Sequence, residues 1–278
     1  MSRYHVPRWI GPVARAGFAA KGAIYVVVGV LAGKAALGEG GETTGAKGAI
    51  QEIGQQPFGQ VMLVLLAIGL GCYAAWRILS AFVDAEGKGS DAKGLATRAG
   101  IFVSGLIHAG LAVAAVAALR GSGGSSGKAE GWTARLMDAP FGPWLVIGVG
   151  VAVGIAGIMQ WVRAAKGSYR DKFNLDGAAA SQREWIERAA KLGLAARGLV
   201  FLIIGFFLGR AGWQVDASEA RGFGDALDTL ARQPYGTWLL GITALGLVCY
   251  GIYCSVVAIY GHFNSADADA RTYRANVG

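Results

Sequence analysis

Lys21, Ser104, His108 and Arg197 are among the polar side chains that stand inside long apolar runs, where a polar group is costly and so invites a functional explanation. Lys21, Ser104 and Arg197 occupy equivalent places, each four residues after a glycine (Gly17, Gly100 and Gly193). Brought to one level around an axis, the lysine and the arginine would attract an anion or a lipid headgroup, with the serine adding a hydroxyl. The plainer expectation is that the stems snorkel and carry the charges to the membrane surface. His108 is of a residue type suited to relaying protons or binding a metal. The other histidines, His5 and His262, lie at the chain ends, so no second axial ligand for a haem is available at membrane depth. The plainer expectation for His108 is a neutral ring bonded to a neighbouring carbonyl.

Little else suggests chemistry. There is no HExxH, no CxxC and no Walker loop. The glycine- and serine-rich stretch at 121–127 reads as a flexible loop, and no Lys-Ser/Thr follows it to make a phosphate cradle. Cys72, Cys249 and Cys254 all sit in apolar runs without metal-site spacing, and are expected to be buried structural thiols. No acidic residue lies inside an apolar run, which weighs against a transporter coupled through a buried carboxylate. The expectation is a protein that is not an enzyme and carries no metal and no cofactor.

The elements that must hold these residues are membrane spans. Of 278 residues, 54% are hydrophobic and only 16% are charged, against roughly 25% charged in a typical soluble domain. The 45 glycines lie among apolar residues, as in membrane helices whose backbones approach closely. Six apolar segments, at about 17–37, 58–82, 99–119, 141–162, 192–211 and 235–260, each reach the length of roughly 20 residues that crosses a bilayer. A basic start at Arg3, Arg8, Arg15 and Lys21 could mark a signal peptide. The first segment has internal copies, however, and is expected to be retained.

The copies are three. Arg15-Ala16-Gly17, Arg98-Ala99-Gly100 and Lys191-Leu192-Gly193 open them, and a second glycine follows five residues later at Gly22, Gly105 and Gly198. Tyr25, His108 and Phe201 are equivalent. A Pro-aromatic-Gly triplet then begins each second helix: Pro57-Phe58-Gly59, Pro140-Phe141-Gly142 and Pro234-Tyr235-Gly236. The chain thus reads as a single membrane domain, 1–278, of three tandem helix pairs at about 14–89, 97–169 and 190–263. On these residues the sequence resembles the bacterial domain-of-unknown-function family numbered 1206, whose members carry three tandem two-helix membrane repeats. The likeness spans about Ala14 to Phe263, and the second copy departs most, with Ala139 for glutamine and Ala112 for glycine. The resemblance implies a fold and supplies no activity.

Pro-aromatic-Gly reads as an interfacial elbow. Proline suits the first turn of a helix, and the aromatic, with Trp144 and Trp238, suits the aromatic belt. Short amphipathic helices are expected just before each proline, lying flat on the surface. In the longest connection, Ser181 and Glu184 have capping-box spacing, and a helix is expected to start there and run into the fifth span. The pairs Gly29/Gly33, Gly150/Gly154 and Gly205/Gly209 read as close helix crossings, expected within the chain, with crossings between chains left open.

Charge gives orientation. The terminal segments and the 77–98 and 161–197 connections hold 18 of the 26 Lys and Arg, while the acidic residues divide evenly. By the positive-inside rule both termini are cytoplasmic and the elbows face out, in a bacterial inner membrane. The basic balance then answers to anionic lipid headgroups. No basic run interleaves with aromatics, so no nucleic-acid partner is expected. The fold class is all-α: six transmembrane helices as three hairpin repeats in a pseudo-threefold arrangement. Two functions compete. One is a scaffold or a subunit that contacts lipid, a protein partner or itself. The other is a passive channel or carrier along the axis for a small solute, with anions among the candidates.

Overall fold

The computed structural model describes residues 10–41, 43–84, 87, 89–121, 129–170, 173 and 180–261. The basic start at Arg3 and Arg8, the histidines at 5 and 262, and the glycine–serine stretch after Gly121 lie outside them. Among the described residues nine α-helices form: α1 (Ile10–Leu37), α2 (Ala46–Gln55), α3 (Gly59–Val83), α4 (Ala92–Leu119), α5 (Ala129–Met137), α6 (Gly142–Lys166), α7 (Ala180–Gln214), α8 (Phe223–Ala231) and α9 (Gly236–Tyr260). α1, α3, α4, α6, α7 and α9 are long and apolar enough to cross a membrane. In hydrocarbon a helix satisfies every backbone group within itself. The chain is therefore an all-α, multi-pass membrane protein. α7 runs unbroken through Ser181, so that serine lies in the first turn, and Glu184 bonds to Arg188 one turn on instead of closing a capping box.

The short helices α2, α5 and α8 mark one side of the molecule, the elbow side; the start of α1 and the end of α9 mark the other, the terminal side. The tightest helix pairs join neighbouring repeats: α3 with α4, α6 with α7, and α9 with α1. The third contact closes the order, because the last span packs against the first just as each earlier repeat packs against the next. The second glycine of each repeat makes these crossings. A Cβ at Gly22 would meet the Gly251 carbonyl oxygen at 2.9 Å, at Gly105 the Ala74 oxygen at 3.2 Å, and at Gly198 the Gly157 oxygen at 3.0 Å.

The arginine that opens a repeat clamps the same seam. Arg98 donates from Nε to the Ala81 carbonyl (2.8 Å) and from Nη2 to the Phe82 carbonyl (2.9 Å), at the end of α3. Arg15 donates to the carbonyls of Ala258 (3.1 Å), Ile259 and Gly261 (3.2 Å), at the end of α9. A guanidinium there fills orphan carbonyls and meets the negative end of the helix dipole. Arg15→Ala should therefore lower stability by about 1–2 kcal/mol, read as a drop of a few degrees in the detergent melting temperature. An unchanged melt would mean that the seam closes without the clamp.

Within a repeat the pairing is uneven. α1 packs on α3 and α7 on α9, but α4 and α6 form no packed pair along their lengths. The first glycines record the difference. Gly17 lies against Tyr73, whose Cα is 2.8 Å from where a Cβ on that glycine would stand, and Gly193 lies against Tyr250, whose Cα is 2.6 Å from the equivalent point. Gly100 has nothing within 4 Å. The residue of α6 that matches Tyr73 and Tyr250 is Ala156, and it is exposed. The second repeat lacks the ring that the other two lay across the glycine.

At the elbows the structure corrects the expected role of proline. The helices start at glycine, and the proline stands before them in a turn. Gly59, Gly142 and Gly236 donate their N–H to the carbonyls of Gln56, Ala139 and Gln233, each at 2.8 Å. Phe58, Phe141 and Tyr235 hold left-handed backbones at φ 62°, 60° and 62°. Proline at the second position and positive φ at the third are the marks of a type II turn. The glycine that ends the turn sits against the carbonyls of the preceding short helix, where no Cβ fits.

The short helices also differ from helices resting flat on a surface. Ala49, Ile50 and Ile53 of α2 and Ala226, Leu227 and Leu230 of α8 are buried in the same cluster as Ile24 and Val28 of α1 and Leu240 and Leu247 of α9. These two helices turn their apolar faces into the bundle at its elbow side. α5 instead leaves Trp132 largely exposed.

Candidate functional site

Lys21 and Arg197 meet at the centre. Lys21 lies on α1 and Arg197 on α7, helices that both pack against α9, and α9 supplies the ring between them. The Lys21 ammonium stands 5.4 Å from the centre of the Tyr250 ring and 5.5 Å from that of Tyr73. The Arg197 guanidinium lies 5.0 Å from the Tyr250 ring centre, 4.2 Å from Phe201 and 5.6 Å from Tyr25. Tyr25 and Tyr250 meet edge to face, 4.7 Å between centres. Lys21 is only 7% exposed, so it turns inward and does not snorkel to a surface.

Ring faces compensate charge without accepting the donors. Cation–π contacts return up to about 2 kcal/mol each when desolvated, while burying an ion costs several kcal/mol even after relaxation. Among the described residues, Lys21 makes no hydrogen bond and no ion pair. Arg197 makes one hydrogen bond, from Nε to the Tyr25 hydroxyl at 2.8 Å, which leaves both terminal nitrogens without one. The spans bring no carboxylate close: the only acidic residues in the six long helices are Glu184 and Glu187, at the start of α7. Glu187 is paired with Arg170.

The third member of the expected ring behaves differently. Ser104 supplies its backbone carbonyl, 2.7 Å from His108 Nδ1. A carbonyl only accepts, so Nδ1 carries the proton and Nε2 faces outward from that bond. The His108 ring rests on Tyr73, 4.5 Å between centres. It is a wall of the cluster, one turn from its own carbonyl partner. Arg77 joins the same wall 5.9 Å from the Tyr73 ring centre. The sequence signal that finds the aromatic members is the repeat itself: Tyr73 and Tyr250 follow their elbow glycines by the same interval.

The glycine pairs join the repeats within the chain. A Cβ on Gly150 would lie 2.7 Å from the Gly209 nitrogen, and one on Gly205 2.8 Å from the Gly154 nitrogen, so α6 and α7 interlock backbone to backbone. Gly29 meets the Ala244 oxygen of α9 at 2.8 Å; Gly33 makes only ordinary contact with the same alanine at 3.9 Å.

Outside the spans, burial raises the Tyr169 hydroxyl above its ordinary pKa, and Glu187 raises that of Arg170. Hydrogen bonds from Ser218 hold the Asp216 carboxyl below the usual carboxylate range. All three stand in connections, and Tyr169 is buried in the same cluster as Tyr250. Among the described residues no group of three His, Cys, Asp or Glu could hold a metal. All three cysteines are free thiols, Cys254 fully buried and the other two partly. Residues 123–127 spell Gly-x-Ser-x-Gly and lie outside the described residues.

A family model described as Domain of Unknown Function (DUF1206) matches three times, over residues 16–84, 99–167 and 192–261. The chain belongs to the DUF1206 family. Each DUF1206 segment holds one first helix, one elbow and one second helix. An uncharacterized protein of Bacillus subtilis strain 168, YxxB, is 33% identical over 254 residues, covering 91% of this chain and 92% of the relative. No solved structure matches the chain significantly.

Proposed function

We propose that this DUF1206 protein is a non-enzymatic protein of the bacterial inner membrane, with both termini cytoplasmic, that works by binding an anion at Lys21 and Arg197. The carrying observation is the set of unfilled donors: among the described residues, a buried ammonium and a buried guanidinium share the Tyr250 ring with no carboxylate against them. An anion would fill those donors with charge-assisted hydrogen bonds, which are about twice as strong as neutral ones. The orientation rests on the excess of Lys and Arg on the terminal side. In that orientation the cluster belongs to the cytoplasmic half. A through-channel is the weaker reading, because the apolar faces of α2 and α8 fill the elbow side.

The test uses purified protein in detergent and phosphatidylglycerol as the anionic probe, with phosphatidylethanolamine as the zwitterionic control. Wild type should gain several degrees of melting temperature from the first and little from the second. Lys21→Met with Arg197→Met keeps apolar volume while removing both charges. It should melt at or above the lipid-free wild type, since replacing buried ions by apolar side chains is often stabilising by about 1–4 kcal/mol, and it should lose the response. A double variant that responds like wild type sinks the proposal.

A further inference from the structure

The second repeat is open where the other two are shut, and all its departures fall together. In repeats one and three a tyrosine of the second helix covers the first glycine of the pair. In repeat two that tyrosine is Ala156, the glycine is Gly100, and nothing lies against it. The cation of the other repeats is Ser104 here. Both cations therefore come from repeats one and three, and the repeat that gives neither is the one whose helices stand apart.

We propose that a phospholipid of the cytoplasmic leaflet enters between α4 and α6, past Gly100 and Ala156, and that Lys21 and Arg197 hold its phosphate. This rests on the anion reading of the cluster and adds the ligand's class and its route. Depth is compatible with a lipid. Gly22, next to Lys21, meets both Ser255 and Gly251 of α9, and Tyr250, between the cations, is ten residues before Tyr260 at the end of that helix. At 1.5 Å per residue the cluster spans about 8–15 Å inside the helix end. A headgroup drawn in by two to three helical turns reaches it within one half of a hydrocarbon core about 30 Å thick. The flanks suit acyl chains: Val103, Leu106 and Ile107 on α4 and Ile155, Ile158 and Met159 on α6 are all exposed.

The chemistry suits a phosphate diester. In phosphatidylglycerol it carries one negative charge with no ammonium on the same headgroup to balance it, as phosphatidylethanolamine has, and its two non-bridging oxygens match the paired terminal nitrogens of a guanidinium. The Lys21 ammonium, with three donors and no acceptor, adds further charge-assisted hydrogen bonds to the same oxygens and leaves the filled site with one net positive charge. Soluble phosphate offers the same oxygens, so the source has to be separated by experiment.

Native mass spectrometry of the full chain in detergent, after incubation with phosphatidylglycerol, reads the bound lipid directly. Inorganic phosphate is titrated in parallel. Wild type should retain one phosphatidylglycerol. Lys21→Met with Arg197→Met should cut retention at least tenfold. Ala156→Trp fills the opening without touching the cations, and should cut retention tenfold at an unchanged melting temperature. Gly100→Trp is the second plug, should either variant fold poorly. If both plugged proteins retain lipid like wild type, the route is wrong while the anion reading stands. Retention of phosphatidylethanolamine equal to that of phosphatidylglycerol, indifferent to the two cations, would overturn the anion reading itself. Tight inorganic phosphate with no retained lipid would overturn the lipid source.

Discussion

Gly193→Leu should abolish folded protein, and Gly100→Leu should be nearly silent, although the two glycines open equivalent helices. A Cβ at Gly193 would stand 2.5 Å from the Tyr250 nitrogen, 2.6 Å from its Cα and 2.9 Å from its Cβ. Two of those atoms are backbone, which cannot rotate away. Overpacking a core ordinarily costs about 1–3 kcal/mol and more where nothing yields. A helix–helix contact held by backbone belongs to the upper end, above about 3 kcal/mol. The contact also presents the Tyr250 ring to Lys21 and Arg197, so any protein that survives should bind anion poorly. At Gly100 the same substitution meets open space. There leucine is the better helix former by roughly 1 kcal/mol or less. The check is the yield of monodisperse protein and its detergent melting temperature for the matched pair. Equal damage at both positions would mean that α4 does pack on α6 and that the second repeat is closed.

The same pair of glycines shows what the sequence discloses. Span number and repeat register were legible because each depends on local quantities: apolar length, a recurring glycine and a recurring elbow. That Gly150/Gly154 and Gly205/Gly209 mark close crossings was legible too, since small residues four apart make a flat helix face. Which helix each face meets was not. The crossings join neighbouring repeats, and the clamp of Arg15 on the end of α9 links residues 243 to 246 positions apart. Nothing at either end of that contact signals the other. The opening of repeat two was visible only as divergence, Ala156 for tyrosine and Ser104 for a cation. Loss of a packing ring and loss of a charge look alike in a sequence until the two are placed on one side of one cluster.

The centre was half legible for a related reason. Lys21 and Arg197 at equivalent positions suggest a shared level, but a long cationic stem can as well reach a surface. The deciding partner is Tyr250, on a third helix, which holds both cations against one ring. The apolar faces of α2 and α8 were legible from their three-residue spacing, Ile50 with Ile53 and Leu227 with Leu230. Their direction was not, because an amphipathic helix at an interface can turn its apolar face to lipid or to protein. Here it turns to protein, and the elbow side of the axis closes.

The elbows carry the second large effect, and adjacent residues should respond in opposite directions. Gly236→Ala places a Cβ into the Ala231 carbonyl and 3.0 Å from the Leu230 oxygen. Those carbonyls end α8, whose Leu227 is fully buried, so α8 cannot slide out of the way without emptying the core. The expected cost is above about 3 kcal/mol, at the high end for overpacking. Tyr235→Gly, one residue earlier, should instead raise the detergent melting temperature. Tyr235 holds φ 62°, a region that costs a residue with a Cβ about 1–2 kcal/mol. Its side chain is 83% exposed, so few internal contacts are lost with it. Phe58 and Phe141 repeat the same strain and the same exposure. Glycine would relieve all three turns, yet all three carry an aromatic. The aromatic's compensation must then come from outside the chain, and a bilayer interface is the setting in which an exposed ring gains most. Melting curves for Gly236→Ala and Tyr235→Gly, taken in detergent and again in lipid bilayers, separate the two contributions. The gain from Tyr235→Gly should shrink or reverse in bilayers, while the loss from Gly236→Ala should be the same in both. If Tyr235→Gly destabilises equally in detergent, the ring is held by the protein and the membrane role of the elbow is lost.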